Sequence, residues 1–310
     1  MYNKELKERF NGIGALVLTC FDEDLQLNLD GLKKNVRYMI NNGINAFNGF
    51  LIANGSTGEC YAMNIQERKQ VIKATIEAAN NEVLVMAGCN DTNVFNVIEL
   101  ANYSKQVGAK AVMIVQPYYL PFNEEQMYSF YKFIDDNIDL PIMLYNNPVI
   151  ASQSDMSINL IKRLAKLENV FALKETTPNI KRFFHTQVLI KELLVFAGSS
   201  SLQPFGALAG MSGFISFISS FNPQLQVKLW DAIRKEDYRE AKKFHSQELS
   251  LYDWWWSGNI KQTFGQVVHA KKAMDLMGLE GGYSRPPLLP IKEEQIEGLK
   301  NILREWKLLE

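Results

Sequence analysis

The chain has 310 residues, 47% of them hydrophobic and 22% charged, the composition of an ordinary soluble globular protein. Its 33 Lys and Arg nearly balance 34 Asp and Glu, so no strong field favours nucleic acid or a membrane surface, and a small-molecule substrate is the default. The length fits two average domains, or one α/β barrel with an appendage.

The first ten residues, M-Y-N-K-E-L-K-E-R-F, are charged and lack the apolar core of a signal peptide. No apolar run reaches the ~20 residues of a membrane helix; the longest, at 207–221, is broken by glycines and serines. Cys20, Cys60 and Cys89 are far apart, odd in number and in no metal-ligand spacing. They read as buried thiols in a reducing cytoplasm.

Apolar runs then alternate with amphipathic, helix-like stretches. Residues 13–20 (I-G-A-L-V-L-T-C) predict a first strand, and 30–42 a helix stopped by Gly43. Residues 47–53 make a second strand leading into N-G-S-T-G-E. The helix at 66–79 has Val71, Ile72, Thr75, Ile76 and Ala79 at helical spacing. A third strand at 83–87, a helix at 93–107 closed by Gly108, and a fourth strand at 111–115 running into Q-P-Y-Y follow. Residues 124–137 are helical, 141–145 (P-I-M-L-Y) form the fifth strand running into N-N-P, 156–167 are helical, and 170–174 form the sixth strand. A helix over 178–191 with proline near its first turn, a seventh strand at 193–197, a short helix at 202–208 and an eighth strand at 213–217 complete the series.

Eight strand–helix units in about 220 residues predict a (β/α)8 TIM barrel. After Pro223 the pattern changes: 224–233, 238–256, 260–277 and 292–306 read as helices with no strand between them. The expected organisation is a barrel over 1–222 carrying the active site and a C-terminal helical region over 223–310 packed on it. The run Trp254-Trp255-Trp256 reads as packing or subunit contact, because three consecutive indoles cannot all be buried on one helix face.

The stretch 170–177, V-F-A-L-K-E-T-T, carries the main chemical signal. Alternation puts Val170, Ala172 and Lys174 on one face, with Phe171 and Leu173 on the other and Glu175 outside the pocket. A lysine closing a buried strand either snorkels its amine into water or serves as a desolvated nucleophile toward a carbonyl. An ordinary lysine, with a pKa near ~10.4, leaves about one amine in ~2,500 neutral at pH 7. A nucleophilic one needs the desolvation that an apolar barrel mouth supplies.

Barrel chemistry collects at the C-terminal ends of the strands. Those ends carry Gly55-Ser56-Thr57-Gly58-Glu59, Pro117-Tyr118-Tyr119, Tyr145-Asn146-Asn147-Pro148, Lys174-Glu175, Gly198-Ser199-Ser200-Ser201 and Ile215-Ser216. Gly55 and Gly58 permit a tight turn whose amides near Ser56 and Thr57 face an anion such as a carboxylate; an ordinary turn would look the same. Tyr145 suits proton transfer, or is a strand-end tyrosine with a wet hydroxyl. Tyr118 and Tyr119 equally suit an interface. His185, His245 and His269 fall in helix-like segments rather than at strand ends, which disfavours a metal-dependent aldolase.

The ordered set G-S-T-G-E, P-Y-Y, Y-N-x-P, L-K-E and a late G-x-I-S, with R-P-P-L-L-P-I near the C-terminus, resembles the dihydrodipicolinate synthase/N-acetylneuraminate lyase family over nearly the whole chain. The resemblance implies a Schiff-base synthase or lyase acting next to pyruvate or another 2-keto acid, with no metal and no nucleotide. Lys174 would form the imine. Tyr145 would transfer protons, helped by Ser56 and by Tyr119 reaching in from a neighbouring subunit. Thr57, with the loop amides of Gly55 and Gly58, would hold the keto acid's carboxylate, and Ile215 and Gly198 would line the substrate pocket. Relatives are usually tetramers built as dimers of tight dimers, so a cytoplasmic homotetramer or homodimer is expected.

Three departures bear on the second substrate, an aldehyde in the synthases. No arginine follows Y-N-N-P, where lysine-pathway synthases carry one; the strand-seven glycine is followed by serines, not the acidic residues of sialic-acid lyases; and N-G-S-T-G-E-C replaces G-T-T-G-E. A dehydratase of a sugar-derived 2-keto-3-deoxy acid using the same lysine, and a non-catalytic keto-acid-binding barrel, stay open beside the synthase or lyase.

Overall fold

The computed structural model describes residues 4–151, 154–257 and 265–310. Eight parallel strands close into a barrel in chain order: β1 (Gly12–Leu16), β2 (Gly49–Ala53), β3 (Leu84–Gly88), β4 (Ala111–Val115), β5 (Ile142–Asn146), β6 (Val170–Glu175), β7 (Leu194–Ala197) and β8 (Gly213–Ser216), which pairs back to β1. Helix α1 (Lys4–Arg9) precedes β1. Seven helices follow β1 to β7 in turn: α2 (Leu29–Asn41), α3 (Ile65–Ala79), α4 (Val94–Val107), α5 (Glu124–Asp135), α6 (Ile158–Leu164), α7 (Ile180–Leu189) and α8 (Gln203–Ala209). After β8 come α9 (Pro223–Arg234), α10 (Tyr238–Ser257), α11 (Gly265–Leu276) and α12 (Glu293–Glu305). The predicted (β/α)8 barrel with C-terminal helices is the fold observed. Leu229 and Trp230 of α9 pack with Ile13, Ala15 and Phe214 of β1 and β8, so α9 takes the place of the eighth barrel helix.

Two apolar layers follow from strand alternation. Leu16, Phe50, Ile52, Met86, Met113, Val115, Met143, Phe196 and Ile215 fill the barrel interior. Their sequence neighbours, such as Ala15, Leu51, Val85, Val112, Leu144 and Val195, face the helices. Phe10, just after α1, plugs the N-terminal end of the barrel: its ring lies 5.1 Å from Phe50 and 5.3 Å from Phe171, and Phe50 lies 5.5 Å from Phe196. With the floor closed by these rings, the barrel's mouth among the described residues is at the C-terminal ends of the strands.

One strand departs from simple alternation. The ladder pairs Ile142 with Val170 and then Met143 with Ala172, so β6 holds one extra residue, a bulge. Phe171 and Ala172 therefore both face the interior, while Val170 joins Leu173 in the outer layer. The expected grouping of Val170 with Ala172 and Lys174, and of Phe171 with Leu173, is thus corrected. Ala172 and Lys174 still share a face because the bulge lies before both.

Several boundaries shift for local reasons. The first strand ends at Leu16 rather than Cys20; Val17 still donates to the Ile52 carbonyl at 3.0 Å before the chain turns outward. Helix α7 starts at Ile180 because the Asn179 side chain caps it, accepting from the Arg182 N–H at 3.0 Å. The C-terminal helices share one core with the barrel, since Leu251, Ala270, Ala273, Leu299 and Trp306 pack with Phe217 and Phe221 just after β8. In the Trp254-Trp255-Trp256 run, Trp254 and Trp255 pack near His269 at ring separations of 5.3 and 6.1 Å, while the Trp256 side chain lies outside the described residues. Among the described residues no helix is long and apolar enough to cross a membrane.

Candidate active site

The loop after β2 is held from three sides. Thr19 donates its hydroxyl to the Gly58 carbonyl at 2.7 Å. The Glu59 N–H donates to the Ser56 carbonyl at 3.0 Å. A Cβ on Gly55 would lie 2.9 Å from Leu16 Cδ2 and one on Gly58 2.8 Å from the Val17 carbonyl oxygen, so both glycines answer close packing against the chain leaving β1. Ser56 and Thr57 stay half-buried at the rim.

Glu59, the last residue of the motif, turns the opposite way. It is fully buried in a left-handed conformation (φ +57°) and ion-pairs with Lys271, itself 2% exposed. Its oxygens also accept from Ser284 Oγ at 3.1 Å and from the Arg285 N–H at 3.2 Å. Burial lowers the Lys271 pKa while Glu59 pulls it back up. Arg285 forks onto Glu67 at 2.6 and 2.9 Å, holding that carboxyl below the usual range, and stacks 4.3 Å over the Phe21 ring. The C-terminal segment thereby clamps the β2 loop from behind.

Strands β5 and β6 carry the centre of the site. Their register sets Tyr145 opposite Lys174. Lys174 is 5% exposed, with Nζ 3.9 Å from the centroid of the Tyr145 ring. Among the described residues its amine meets no carboxylate within ion-pair distance. The Tyr145 hydroxyl accepts from Asn147 Nδ2 at 2.8 Å. Ile215 reaches the same interior space from β8, where only the absent side chain of Gly14 leaves room for it.

The outer face of the same strand ends is closely tied. Glu175, fully buried, accepts from Asn146 Nδ2 at 2.7 Å, from the Thr177 N–H at 2.9 Å and from Arg182 at 2.7 Å. Arg182 also pairs with Asp155 at 3.3 Å. Burial pushes the Glu175 carboxyl up, and Arg182 and the amide donors oppose that rise. Glu175 thus lies outside the pocket, as alternation predicts.

The sequence and the fold have counterparts among known proteins. A model of the dihydrodipicolinate synthetase family matches residues 9–306. The chain belongs to the dihydrodipicolinate synthetase family. A 4-hydroxy-tetrahydrodipicolinate synthase of Acetivibrio thermocellus is 32% identical over 309 residues, 98% of this chain and 99% of that one. Among solved structures, a monomeric dihydrodipicolinate synthase variant superimposes with a TM-score of 0.89 at 28% identity, covering 99% of this chain and 100% of its own. A prophage protein of the family from E. coli K12, solved with pyruvate, gives 0.88 at 28% identity over 97% of this chain and 99% of its own. Membership in the dihydrodipicolinate synthetase family makes the chain a lyase-class enzyme and does not favour the non-catalytic barrel.

The structure brings some of the predicted residues together and leaves others apart. Lys174, Tyr145 and Ile215 meet inside the barrel mouth. Gly198 packs against Thr176 Oγ1 at the end of β7. Tyr118 folds half-buried against the barrel core, where burial pushes its hydroxyl up to about 12. Tyr119, at φ +86°, is 85% exposed on its own chain. His185, His245 and His269 lie on α7, α10 and α11 rather than on strand ends, with His245 Nε2 2.9 Å from the Ser200 carbonyl just after β7. All three cysteines are buried free thiols, and burial pushes Cys20 and Cys89 up to about 12.

Sequence reasoning missed Asn147, Arg182 and the Lys271–Arg285 clamp. Asn147 carried a signal, since an asparagine before proline marks an Asx turn. The partners of Glu59 carried none, because they lie far along the chain.

Proposed function

We propose that this chain is a Schiff-base lyase or synthase that makes or breaks a carbon–carbon bond next to pyruvate or a related 2-keto acid, with Lys174 as the imine-forming residue. The observation that carries this reading is a lysine amine, buried at the barrel mouth with no counter-ion among the described residues and lying on the ring of a tyrosine. An amine so placed, held over the ring of the proposed proton-transfer residue, is in position to act as the nucleophile toward a carbonyl.

The neutral amine of Lys174 attacks the ketone carbon; the C–N bond forms and the carbonyl electron pair moves to oxygen. Tyr145 relays the surplus proton from nitrogen to that oxygen, giving a carbinolamine. It then gives its own proton to the hydroxyl as the C–O bond breaks and water leaves. The nitrogen lone pair closes the iminium, which acts as the electron sink for C–C bond making or breaking. The half-buried rim of Ser56 and Thr57, between Gly55 and Gly58, suits the keto acid's carboxylate, and Ile215 and Gly198 border the substrate. The chemistry needs no metal or nucleotide.

For the second substrate, the serines after β7 offer hydroxyls where Ser199 and Ser201 lie 3.1 Å apart, and no arginine follows Y-N-N-P. Both features suit an aldehyde without a carboxylate to be gripped at those positions. The named relatives are synthases, which does not favour the dehydratase. Exposed Tyr119 suits a residue completing a neighbouring subunit's site in a homodimer or homotetramer. A cytoplasmic location fits three free buried thiols.

Borohydride reduction with pyruvate, followed by peptide mass mapping, tests the reading. A reduced adduct on Lys174, lost together with turnover in a folded Lys174→Ala variant, is expected. An adduct on another residue, or none with any 2-keto acid, would overturn it.

A further inference from the structure

Asn147 is 6% exposed, and its side chain has two ends with different partners. Oδ1 accepts from the backbone N–H of Val149 at 3.1 Å, and Nδ2 donates to the Tyr145 hydroxyl at 2.8 Å. A backbone N–H can only donate, so the atom facing Val149 is the oxygen and the atom facing Tyr145 is the amide nitrogen. The usual ambiguity between the two ends of an asparagine is removed by the main chain.

The residue is also fixed from below. Its own N–H donates to Gln116 Oε1 at 3.0 Å. Gln116 in turn donates from Nε2 to Asn146 Oδ1 at 3.1 Å and to the Ser154 carbonyl at 2.8 Å. A carbonyl only accepts, so Gln116 is held the same way round.

An amide NH2 offers no acceptor, so the Tyr145 proton cannot be given to Asn147. Tyr145 is a barrel-interior residue with the Lys174 amine on its ring, and its remaining space is the mouth. We infer that Asn147 is a positioning residue that commits the Tyr145 hydroxyl to donate its proton into the mouth and then supports the phenolate left behind. The inference rests on the reading of Tyr145 as the proton-transfer residue. In the dehydration step the phenol O–H bond breaks, its proton goes to the carbinolamine hydroxyl, and water departs as the C=N bond forms. The phenolate oxygen, now charged, keeps the Asn147 N–H as a stronger charge-assisted donor.

Asn147→Asp tests this directly, since a carboxylate keeps an acceptor for the Val149 N–H but replaces the donor to Tyr145 with a second acceptor. Turnover (kcat) should fall roughly 10²-fold, as when one donor to a developing oxyanion is lost, while KM for pyruvate changes little. In a Tyr145→Phe background the same substitution should cause no further loss, because its effect runs through the hydroxyl. Wild-type kcat in Asn147→Asp, or an equal loss in both backgrounds, would overturn the inference. Asn147→Ala in the same cycle serves as the second variant if Asn147→Asp does not fold, and failure of both to fold would assign Asn147 a purely structural role. Borohydride trapping on the wild-type enzyme, run alongside, reports on the imine reading alone.

Discussion

The inner and outer faces of the β5–β6 strand ends are one residue apart in sequence and opposite in their electrostatics. On the inner face Lys174 is buried with an aromatic ring for a neighbour and no carboxylate among the described residues. On the outer face Glu175 is buried under a guanidinium, a side-chain amide and a backbone N–H. A buried ion pair with its hydrogen bonds complete adds little net stability over apolar packing, yet breaking it is costly. Its value here is geometric. It fastens Asn146 and Glu175, the last residues of the two strands, so that Tyr145 and Lys174 are held in register on the other side. The inner face is left unpaired, as the proposed imine chemistry requires, and the outer face supplies the rigidity.

The largest expected effect belongs to the inner face. Tyr145→Phe should slow turnover roughly 10²- to 10⁴-fold, the range for a general acid–base residue, with little change in the unfolding midpoint; an unchanged rate would remove Tyr145 from the chemistry. The outer face should respond in the opposite currency. Arg182→Met leaves Glu175 buried without its cation and should lower stability by about 3–5 kcal/mol in urea unfolding. Adding Glu175→Gln should recover much of that loss, because the uncompensated charge is then gone. A single variant as stable as the wild type would show that the outer pair does not hold the strand ends.

The last effect, one that grows as pH rises from about 4.5 to about 8, tests what a buried carboxyl does without a cation. Glu248 on α10 is fully buried, has the side-chain amides of Gln226 and Gln203 beside it, and meets no cation within ion-pair distance among the described residues. Burial pushes it up to about 8 from 4.5, with Gln226 and Gln203 pulling the other way. Between those values the folded chain keeps a proton that the unfolded chain has released, so stability falls as pH rises through the window and levels off above it. Glu248→Gln should leave stability near about pH 5 almost unchanged and raise it near about pH 8 by on the order of a few kcal/mol. Equal effects at both pH values would mean that Glu248 is already ionised in the fold.

Much of this architecture is legible in the chain itself. Eight apolar runs of strand length separated by helical periodicity specify the barrel, and a lysine closing the sixth run points to the mouth. Alternation also places Glu175 outside the pocket, because strand-face assignment is a local property of the backbone. The bulge that turns Phe171 inward was not legible, since it depends on how β6 pairs with β5 and not on β6 alone. The glycines of G-S-T-G-E were legible as a tight turn, but nothing in the motif showed which way its Glu59 turns. Its actual partners, Lys271 and Arg285, arrive from the C-terminal segment.

The sequence by itself determined the barrel, the order of its strands and the residues at each strand end, because periodicity within a segment is set by that segment's own side chains. Only the tertiary structure decided which groups from distant segments meet: the ring of Tyr145 under the Lys174 amine, the clamp behind the β2 loop, and the direction of the hydrogen bond at the Tyr145 hydroxyl. Those depend on burial and on which donors and acceptors the closed barrel brings within reach, and no local pattern of residues encodes them.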